Sequence, residues 1–200
     1  MDELECKNLT DEINACIKEF DDMVASENGC VVAKDDEEKN ESAENDGKQE
    51  KSAGGILGML VKALADELLA ENQYWVCRHL AKGVGRVDAI PEFEQHEKDE
   101  HDHAEKLMLR IKELGGEPIT SPAKWEENGN PWTEVTTSNV CEQLDITIKA
   151  EQDAIDYYQK IVEACRGGKD DITIRLVRSI MSDEAEHLYD LQMLKDEICA

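Results

Sequence analysis

Two short carboxylate–imidazole units stand out in the chain: Glu100 with His103, and Glu184 with His187. Residues three positions apart lie on one face of an α-helix, so each unit would present both groups in the same direction if its segment is helical. A carboxylate and an imidazole together can bind a first-row transition metal. One such unit alone is weak support for a metal site, because acidic helices contain this spacing by chance.

A repeated spacing strengthens the metal hypothesis. Glu67 precedes Glu100 by 33 residues, and Glu151 precedes Glu184 by the same 33. Glycines lie midway in both intervals, which predicts two antiparallel helical hairpins that turn at those glycines. Because a helix rises ~1.5 Å per residue, each glutamate would lie level with its partner on the other arm of its hairpin.

The two hairpins also repeat each other in sequence. Four residues of the first recur in the second when 84 is added to their numbers: Glu67, Tyr74, Glu100 and His103 become Glu151, Tyr158, Glu184 and His187. Four carboxylates facing a core would be costly if they were ionised and unpaired, whereas two divalent cations would balance them. One Glu from each of two helices and Glu-x-x-His from each of the other two is the pattern of di-iron and di-manganese bundles.

The repeated tyrosines follow their glutamates by two helical turns. Tyr74 and Tyr158 could hydrogen-bond the bridging carboxylates or donate an electron, or they could be buried aromatic residues with a satisfied hydroxyl. We expect one of the two to contact a metal-binding carboxylate.

Charge and composition restrict the possible partners. The 200 residues include 47 acidic and 22 basic side chains, for a formal net charge of −25. Such a surface repels nucleic acids and anionic membranes and attracts cations. No apolar run approaches the ~20 residues of a membrane span, and the N-terminal residues do not resemble a signal peptide. We therefore expect a cytoplasmic protein with no nucleic-acid or membrane partner.

Apolar periodicity predicts four helices of roughly 25 residues. Asp88 and Asn139 are the expected N-caps of the second and third helices, and Trp75 belongs to the apolar stripe of the first. Residues 115–137 form a long connection, which in a bundle crosses from one end to the other. The predicted bounds are 56–82, 88–114, 139–166 and 171–198.

The N-terminal quarter differs from this body. Residues 1–25 have helical apolar spacing and predict a short amphipathic helix, which would pack on the body or a neighbouring subunit, or serve as a docking peptide. Residues 26–55 are acidic and have little to bury, so they predict a disordered linker. Residues 56–200 would form the helical domain.

The seven cysteines are scattered and contain no Cys-x-x-Cys pair. This pattern predicts reduced thiols in a cytoplasmic protein. Cys77 and Cys165 occupy helical positions that could approach one another, and we expect both to be structural or inert.

The segment from Glu67 to Tyr74, ELLAENQY, resembles the first-helix motif of bacterioferritins, and the later Glu-x-x-His units fall where that family has them. The resemblance covers about residues 56–198. It implies an all-α ferritin-like four-helix bundle, built as two antiparallel hairpins with a long B–C crossover. It also implies a ferroxidase centre that holds two iron ions, with manganese possible, at Glu67, Glu100, His103, Glu151, Glu184 and His187. Asp99 matches a bacterioferritin position associated with iron on the inner surface.

The sequence departs from the bacterioferritin pattern at two places. The haem-binding methionine is replaced by His101, so we expect no haem; His101 and His96 are expected to be exposed rather than to bind metal. Only 16 residues follow Glu184, too few for the short fifth helix, which favours the 12-subunit cage of the Dps-like proteins. DNA protection by that group needs basic tails, whereas residues 1–55 carry 17 acidic and 6 basic side chains.

The function favoured by these observations is oxidation of Fe(II) by O₂ or H₂O₂, with storage of the ferric product in a homo-oligomeric cage. One alternative is a di-iron peroxidase outside any cage that resembles rubrerythrin, although that family's Cys-x-x-Cys iron module is absent. The other is a metal-free helical scaffold, which would require four protonated or solvated carboxylates in its core.

Overall fold

A computed structural model describes the backbone of residues 46–166 and 170–199, and the side chains from residue 55 onward within those ranges. The N-terminal helix predicted over 1–25 and residues 26–45 of the linker predicted over 26–55 lie outside the described residues. Five helices and one 3-10 turn, Pro122–Lys124, make up the described structure. The helices are α1 (Asp46–Leu80), α2 (Arg86–Glu113), α3 (Trp125–Asn128), α4 (Val140–Arg166) and α5 (Asp171–Ile198).

The four long helices form the predicted bundle of two hairpins. Helix α1 packs along α2, and α4 packs along α5; α1 also contacts α4, and α2 contacts α5. The connection between the hairpins contains α3 and runs across α1. The prediction of an all-α four-helix bundle with a long crossover is therefore confirmed. No helix in the described ranges is long and apolar enough to cross a bilayer.

Two helix starts differ from the predictions. Helix α1 begins at Asp46 rather than near Ile56, because residues 48–53 include Lys, Gln, Glu and Ala, which are good helix formers even without an apolar face. Helix α2 begins at Arg86, with Gly85 rather than Asp88 at the N-cap position. Gly85 has φ of 77°, and a Cβ there would lie 2.2 Å from Ile198 Cδ1, so the turn requires glycine.

Side chains cap the starts of α4 and α5, and the cap of α4 is the predicted Asn139. Asn139 Oδ1 accepts a hydrogen bond from the Cys141 amide at 2.9 Å, and Asp170 Oδ1 accepts one from the Thr173 amide at 3.0 Å. The Arg110 guanidinium of α2 also donates to Asp170, at 2.8 Å. These contacts join the end of α2 to the beginning of α5, and so set the height at which their side chains meet.

The bundle core consists of two apolar clusters. One includes Leu60, Leu107, Ile161 and Ile180, and the other includes Phe93, Leu144 and Leu191. In each of the four long helices, buried polar residues lie between the residues of one cluster and those of the other. Trp75 does not join either cluster: it is 48% exposed, so its assignment to the apolar stripe was wrong. Helix α1 turns that position outward, one residue after the buried Tyr74.

One pair of cysteines contradicts the expectation of reduced thiols. Cys141, in the first turn of α4, and Cys199, just beyond α5, form a disulfide across 58 residues. Cys77 and Cys165 are free and buried, but they belong to different core clusters and do not approach one another. Sequence spacing could not reveal this pair, because only the antiparallel packing of α4 and α5 brings Cys141 close to Cys199.

We expect Cys141→Ser to lower the free energy of unfolding by about 2–4 kcal/mol, since the disulfide restricts a long loop in the unfolded chain. Cys199→Ser should have the same effect, and the double variant should lose no more than either single variant. Urea denaturation under non-reducing conditions measures all three. Equal stability of the wild-type protein with and without a reductant would contradict the prediction.

Candidate metal centre

Six side chains converge in the polar layer, and all six are the predicted ligands. Each of the four long helices contributes from near its middle. All are at least 96% buried: Glu67 on α1, Glu100 and His103 on α2, Glu151 on α4, and Glu184 and His187 on α5. Buried carboxylates and imidazoles at such density need counter-charges or hydrogen bonds, because desolvation of an unpaired charge costs several kcal/mol.

The six side chains form two overlapping sets of four. His103 Nδ1 lies 3.1 Å from Glu184 Oε1 and 3.4 Å from both Glu67 Oε2 and Glu100 Oε2. His187 Nδ1 lies 3.2 Å from Glu184 Oε2, 3.5 Å from Glu100 Oε1 and 3.8 Å from Glu151 Oε1. Within each set the donor atoms lie within 4.8 Å of one another. Glu100 and Glu184 belong to both sets and direct one oxygen toward each histidine.

Several of these atoms have no hydrogen-bond partner. Glu67 Oε2, both carboxylate oxygens of Glu184 and His187 Nδ1 are buried and unsatisfied. Buried polar atoms in proteins are nearly always hydrogen-bonded, so orphans concentrated in one layer require another partner. The donor set of carboxylate oxygens and imidazole nitrogens fits a pair of iron or manganese ions.

The carboxylates differ in their affinity for protons. Burial raises the pKa of Glu67 well above its usual range, and the charges of Glu184 and Glu100 raise it further. The pKa of Glu151 is raised for the same reasons. Burial also opposes ionisation of Glu100, but its interactions with Glu67, His103 and His187 hold its pKa well below the usual range. Without metal, two glutamates are therefore protonated at neutral pH and Glu100 is ionised.

The two histidines are held in their charged form. Burial by itself would lower the pKa of each ring, but the surrounding carboxylates more than reverse that effect. For His103 these are Glu100, Glu184 and Glu67, which raise its pKa well above the usual range. Glu100 and Glu184 do the same at His187, where the pKa rises to about 11. Metal binding must displace these protons, because only a neutral imidazole coordinates.

The repeated tyrosines contact the carboxylates, and they do so across the hairpins. Tyr74 of α1 donates its hydroxyl hydrogen to Glu151 Oε1 of α4. Tyr158 of α4 donates to Glu67 Oε1 of α1. The sequence repeat placed each tyrosine two turns after its own glutamate, but the hydrogen bond is made to the equivalent glutamate of the other hairpin. Each phenol orients the carboxylate oxygen that it contacts.

We expect Tyr158→Phe to weaken anaerobic metal binding by roughly 10- to 100-fold, the usual effect of losing a hydrogen bond to a metal-binding carboxylate. Tyr74→Phe should act similarly through Glu151. Tyr189→Phe is the matched control, because Tyr189 is 45% exposed on α5. Metal titrations of the three variants test this, and unchanged affinity in both buried variants would contradict an orienting role.

Comparison with known proteins supports the family suggested by the site. Residues 57–198 match the family model of the ferritin-like domain. The chain belongs to the ferritin-like family. A bacterioferritin from Desulfovibrio desulfuricans is 30% identical over 142 residues, which cover 71% of this chain and 75% of the relative. A DNA protection during starvation protein from Pyrococcus furiosus is 32% identical over 139 residues, covering 66% and 72%.

Solved structures of the ferritin-like family agree with this assignment. A dodecameric thioferritin, the bacterioferritin-related protein of Bacteroides fragilis, superimposes with a TM-score of 0.70 at 34% identity, covering 72% of this chain and 86% of that chain. The Dps protein of Thermosynechococcus elongatus has the same TM-score at 17% identity, covering 73% and 93%, and so supports the fold alone.

Two aspartates of the ferritin-like domain hold the outer nitrogens of the histidines. Asp99 Oδ2 lies 3.3 Å from His187 Nε2, and Asp183 Oδ2 lies 3.1 Å from His103 Nε2. Asp99 was among the residues predicted from the sequence, whereas Asp183 was not. The repeat contained the signal, since adding 84 to 99 gives 183. Each aspartate fixes the orientation of a ring that belongs to the other hairpin.

The remaining histidines of α2 behave differently from each other. His101 is exposed, as predicted, and contacts Glu71 at 3.1 Å. His96 is 2% exposed, so the prediction that it faces solvent was wrong. Its ring stacks on His187 with centroids 4.1 Å apart and meets the edge of Tyr74. Burial and the neighbouring His187 charge lower the pKa of His96 to about 3, so its ring is neutral at physiological pH.

A cleft between α1 and α4 leads from the surface to the centre. Its volume is about 940 Å³, and its walls include Glu67, Glu100, Glu151 and Glu184. The crossover lines its mouth through Asn130 and Trp132. Gln73 Nε2 donates to the Thr133 carbonyl at 3.1 Å, and Lys62 Nζ donates to Asn130 Oδ1 at 2.9 Å. These contacts hold the crossover against α1 beside the cleft.

Proposed function

We propose that the protein is a ferroxidase that oxidises Fe(II) to Fe(III) at a pair of metal positions inside each chain. The observation that carries this proposal is the sharing of Glu100 and Glu184 by both four-residue sets, with one oxygen directed toward each histidine. Carboxylates arranged in this way can bridge two ions. Glu67 with His103, and Glu151 with His187, would complete the two positions.

Two bound iron ions would supply one electron each, so O₂ or H₂O₂ can gain two electrons without release of a one-electron product. The protein's own contribution is to hold and orient the ligands. Tyr158 and Tyr74 fix Glu67 and Glu151, while Asp183 and Asp99 fix His103 and His187. The apolar clusters above and below the layer exclude water from the rest of the core. Manganese would suit the same ligands.

The cleft between α1 and α4 is the proposed route for Fe(II) and the oxidant. It joins the surface to four carboxylates, of which two are in both metal sets. The net charge of −25 concentrates cations near the surface and so favours Fe(II) uptake. The same charge supports the prediction that nucleic acid is not a partner. We also propose that the protein works in the cytoplasm.

We further propose that the chain assembles into a 12-subunit cage that stores the ferric product. The structural relative from Bacteroides fragilis is dodecameric. Several large apolar side chains are exposed in the isolated chain, including Trp75, Val84, Val87 and Leu109, and burial between subunits would stabilise them. Twelve copies of the 22.5 kDa chain would have a mass of about 270 kDa.

The two alternatives have less support. A metal-free scaffold would leave unsatisfied the buried oxygens of Glu67 and Glu184, which is costly. A di-iron peroxidase outside a cage would use the same six ligands, so the site does not separate it from a storage ferroxidase. Size and iron capacity separate the two: a peroxidase would be small and would stop at two irons per chain.

The test is an anaerobic Fe(II) titration of metal-free protein, followed by a pulse of O₂ or H₂O₂ while absorbance is recorded. We expect two Fe(II) ions per chain to bind at the dinuclear positions, then rapid oxidation, and continued uptake of many irons by a particle of the size above. Absence of binding would overturn the ferroxidase and favour the scaffold. Binding without further uptake in a small particle would favour the peroxidase.

A further inference from the structure

A second group of metal-binding side chains lies on the contact between α2 and α5, beside the dinuclear site. Glu92 and His96 are one turn apart on α2, and Asp190 lies on α5. Donor atoms of these three residues lie within 4.8 Å of one another. His96 Nε2 is 3.8 Å from Glu92 Oε2, too far for a hydrogen bond. Two ligands of one ion at ~2.1 Å each can be that far apart, so the spacing has room for a cation.

His96 is the buried member of this group, and it has an unsatisfied nitrogen. The side chain is 2% exposed. Its Nε2 is the nitrogen near Glu92, and the other ring nitrogen, Nδ1, has no hydrogen-bond partner. Glu92 and Asp190 are half-buried. Burial raises the pKa of Glu92 and the Asp190 charge raises it further, whereas the charge of His187 lowers it. Two carboxylates therefore lie side by side at a buried imidazole, where a bound cation would offset their repulsion.

The internal repeat shows that bundle packing does not require these residue types. Adding 84 to Glu92 and His96 gives Leu176 and Ile180, which are part of the apolar cluster or pack against it. Subtracting 84 from Asp190 gives Lys106. At the equivalent place in the other half of the bundle, the protein thus has two aliphatic side chains and a cation. The carboxylates and imidazole occur in one half alone, whereas the six dinuclear ligands occur in both.

We propose that Glu92, His96 and Asp190 form a third metal site, which binds one divalent transition-metal ion. One imidazole and two carboxylates suit Fe(II), Mn(II), Zn(II) or Co(II) rather than Mg²⁺ or Ca²⁺, which prefer oxygen ligands alone. Half-buried carboxylates leave the ion open to solvent on one side. The stack of His96 on His187 places this ion next to a ligand of the dinuclear site. The proposal concerns metal binding and does not require ferroxidase activity.

The test uses the full-length protein, metal-free and under anaerobic conditions, titrated with Co(II), which O₂ cannot convert to stored mineral. Three Co(II) ions should bind each wild-type chain. In Glu92→Gln/Asp190→Asn, affinity for the third ion should fall more than about 100-fold, because two direct ligands are lost. Glu105→Gln/Asp196→Asn is the matched control: it makes the same changes at exposed positions of α2 and α5 and should still bind three ions.

Two further measurements separate this site from the dinuclear site. Glu100→Ala/Glu184→Ala should bind one Co(II) ion per chain instead of three. That ion should have the visible spectrum of imidazole-bound Co(II). Adding His96→Leu to this variant should remove the spectrum. Anomalous diffraction at the cobalt edge should place that ion between Glu92, His96 and Asp190. The third site alone would be overturned if the wild-type protein bound only two Co(II) ions per chain and Glu92→Gln/Asp190→Asn still bound both. If wild-type protein bound no Co(II) at the six dinuclear ligands, the proposed ferroxidase would be overturned instead. A third ion located elsewhere would also overturn the proposal.

Discussion

Glu100→Ala combined with Glu184→Ala should abolish fast iron oxidation while the bundle still folds. The two glutamates are the residues shared by both four-residue sets, so their removal takes a ligand pair from each metal position at once. We expect a rate loss well beyond the 10- to 100-fold that results from changing a group behind a ligand. Alanine is the best helix former, so α2 and α5 should keep their helicity.

Stability measurements give a second, independent signature of the same double variant. A ligand at 100 times its dissociation constant stabilises the folded state by about 2.7 kcal/mol, so two ions should contribute about 5 kcal/mol to the wild-type protein. The double variant should lose this increase in the free energy of unfolding. Its circular dichroism should remain that of a helical bundle. Stopped-flow oxidation kinetics and urea denaturation, each with and without Mn(II), measure the two effects.

Matched variants make the interpretation of this double variant specific. Glu105→Ala/Glu186→Ala removes the same charge from exposed positions of the same helices and should oxidise iron at the wild-type rate. Glu100→Gln/Glu184→Gln keeps the side-chain volume if the alanine variant proves unstable. Normal oxidation in either folded variant of Glu100 and Glu184 would mean that these residues are not the bridging ligands.

Metal binding should release about four protons per chain at neutral pH, because ligands must be deprotonated to coordinate. Glu67 and Glu151 are protonated in the metal-free state, since burial raises the pKa of each. His103 and His187 are charged, because the carboxylates around them raise the pKa of each. The overall constant for binding two ions should therefore rise by up to about 10⁴-fold per pH unit, until the first of these groups ionises.

The same protons determine how stability depends on pH. The folded pKa values of Glu67, Glu151, His103 and His187 all lie above the unfolded values. The metal-free folded state then binds more protons than the unfolded state, so its stability must fall as pH rises. The fall begins near pH 4.5 with the glutamates and steepens above pH 6.5, where the histidines join, at up to about 1.4 kcal/mol per group per pH unit.

The stability of the metal-bound protein should instead rise with pH around neutral pH. Its ligands bind no protons, whereas the histidines of the unfolded chain still do near pH 6.5. Calorimetry of anaerobic Mn(II) binding in two buffers of different ionisation enthalpy gives the number of protons released. Urea denaturation at pH 6, 7.5 and 9, with chelator or with Mn(II), gives both trends. Release of fewer than about two protons, or stability of the metal-free protein that rises from pH 6.5 to 9, would contradict this account of the site.

The sequence was sufficient to predict which six side chains meet. Helical periodicity places Glu100 with His103 and Glu184 with His187 on one face, and the rise of a helix sets Glu67 and Glu151 level with them. These are local rules applied to long, regular helices, and they were enough to predict the four-helix bundle as well. Asp183 was not predicted, although the same internal repeat relates it to Asp99.

Only the tertiary structure decided how the two hairpins are paired. The hydrogen bonds from Tyr74 to Glu151 and from Tyr158 to Glu67 cross between hairpins. The Cys141–Cys199 disulfide joins the two arms of the second hairpin. His96 is buried because its face of α2 meets α5, whereas periodicity alone did not separate that face from solvent. Such contacts depend on the relative rotation and height of helices distant in sequence. Those are set by the packing of the whole core, and spacing along one helix does not contain them.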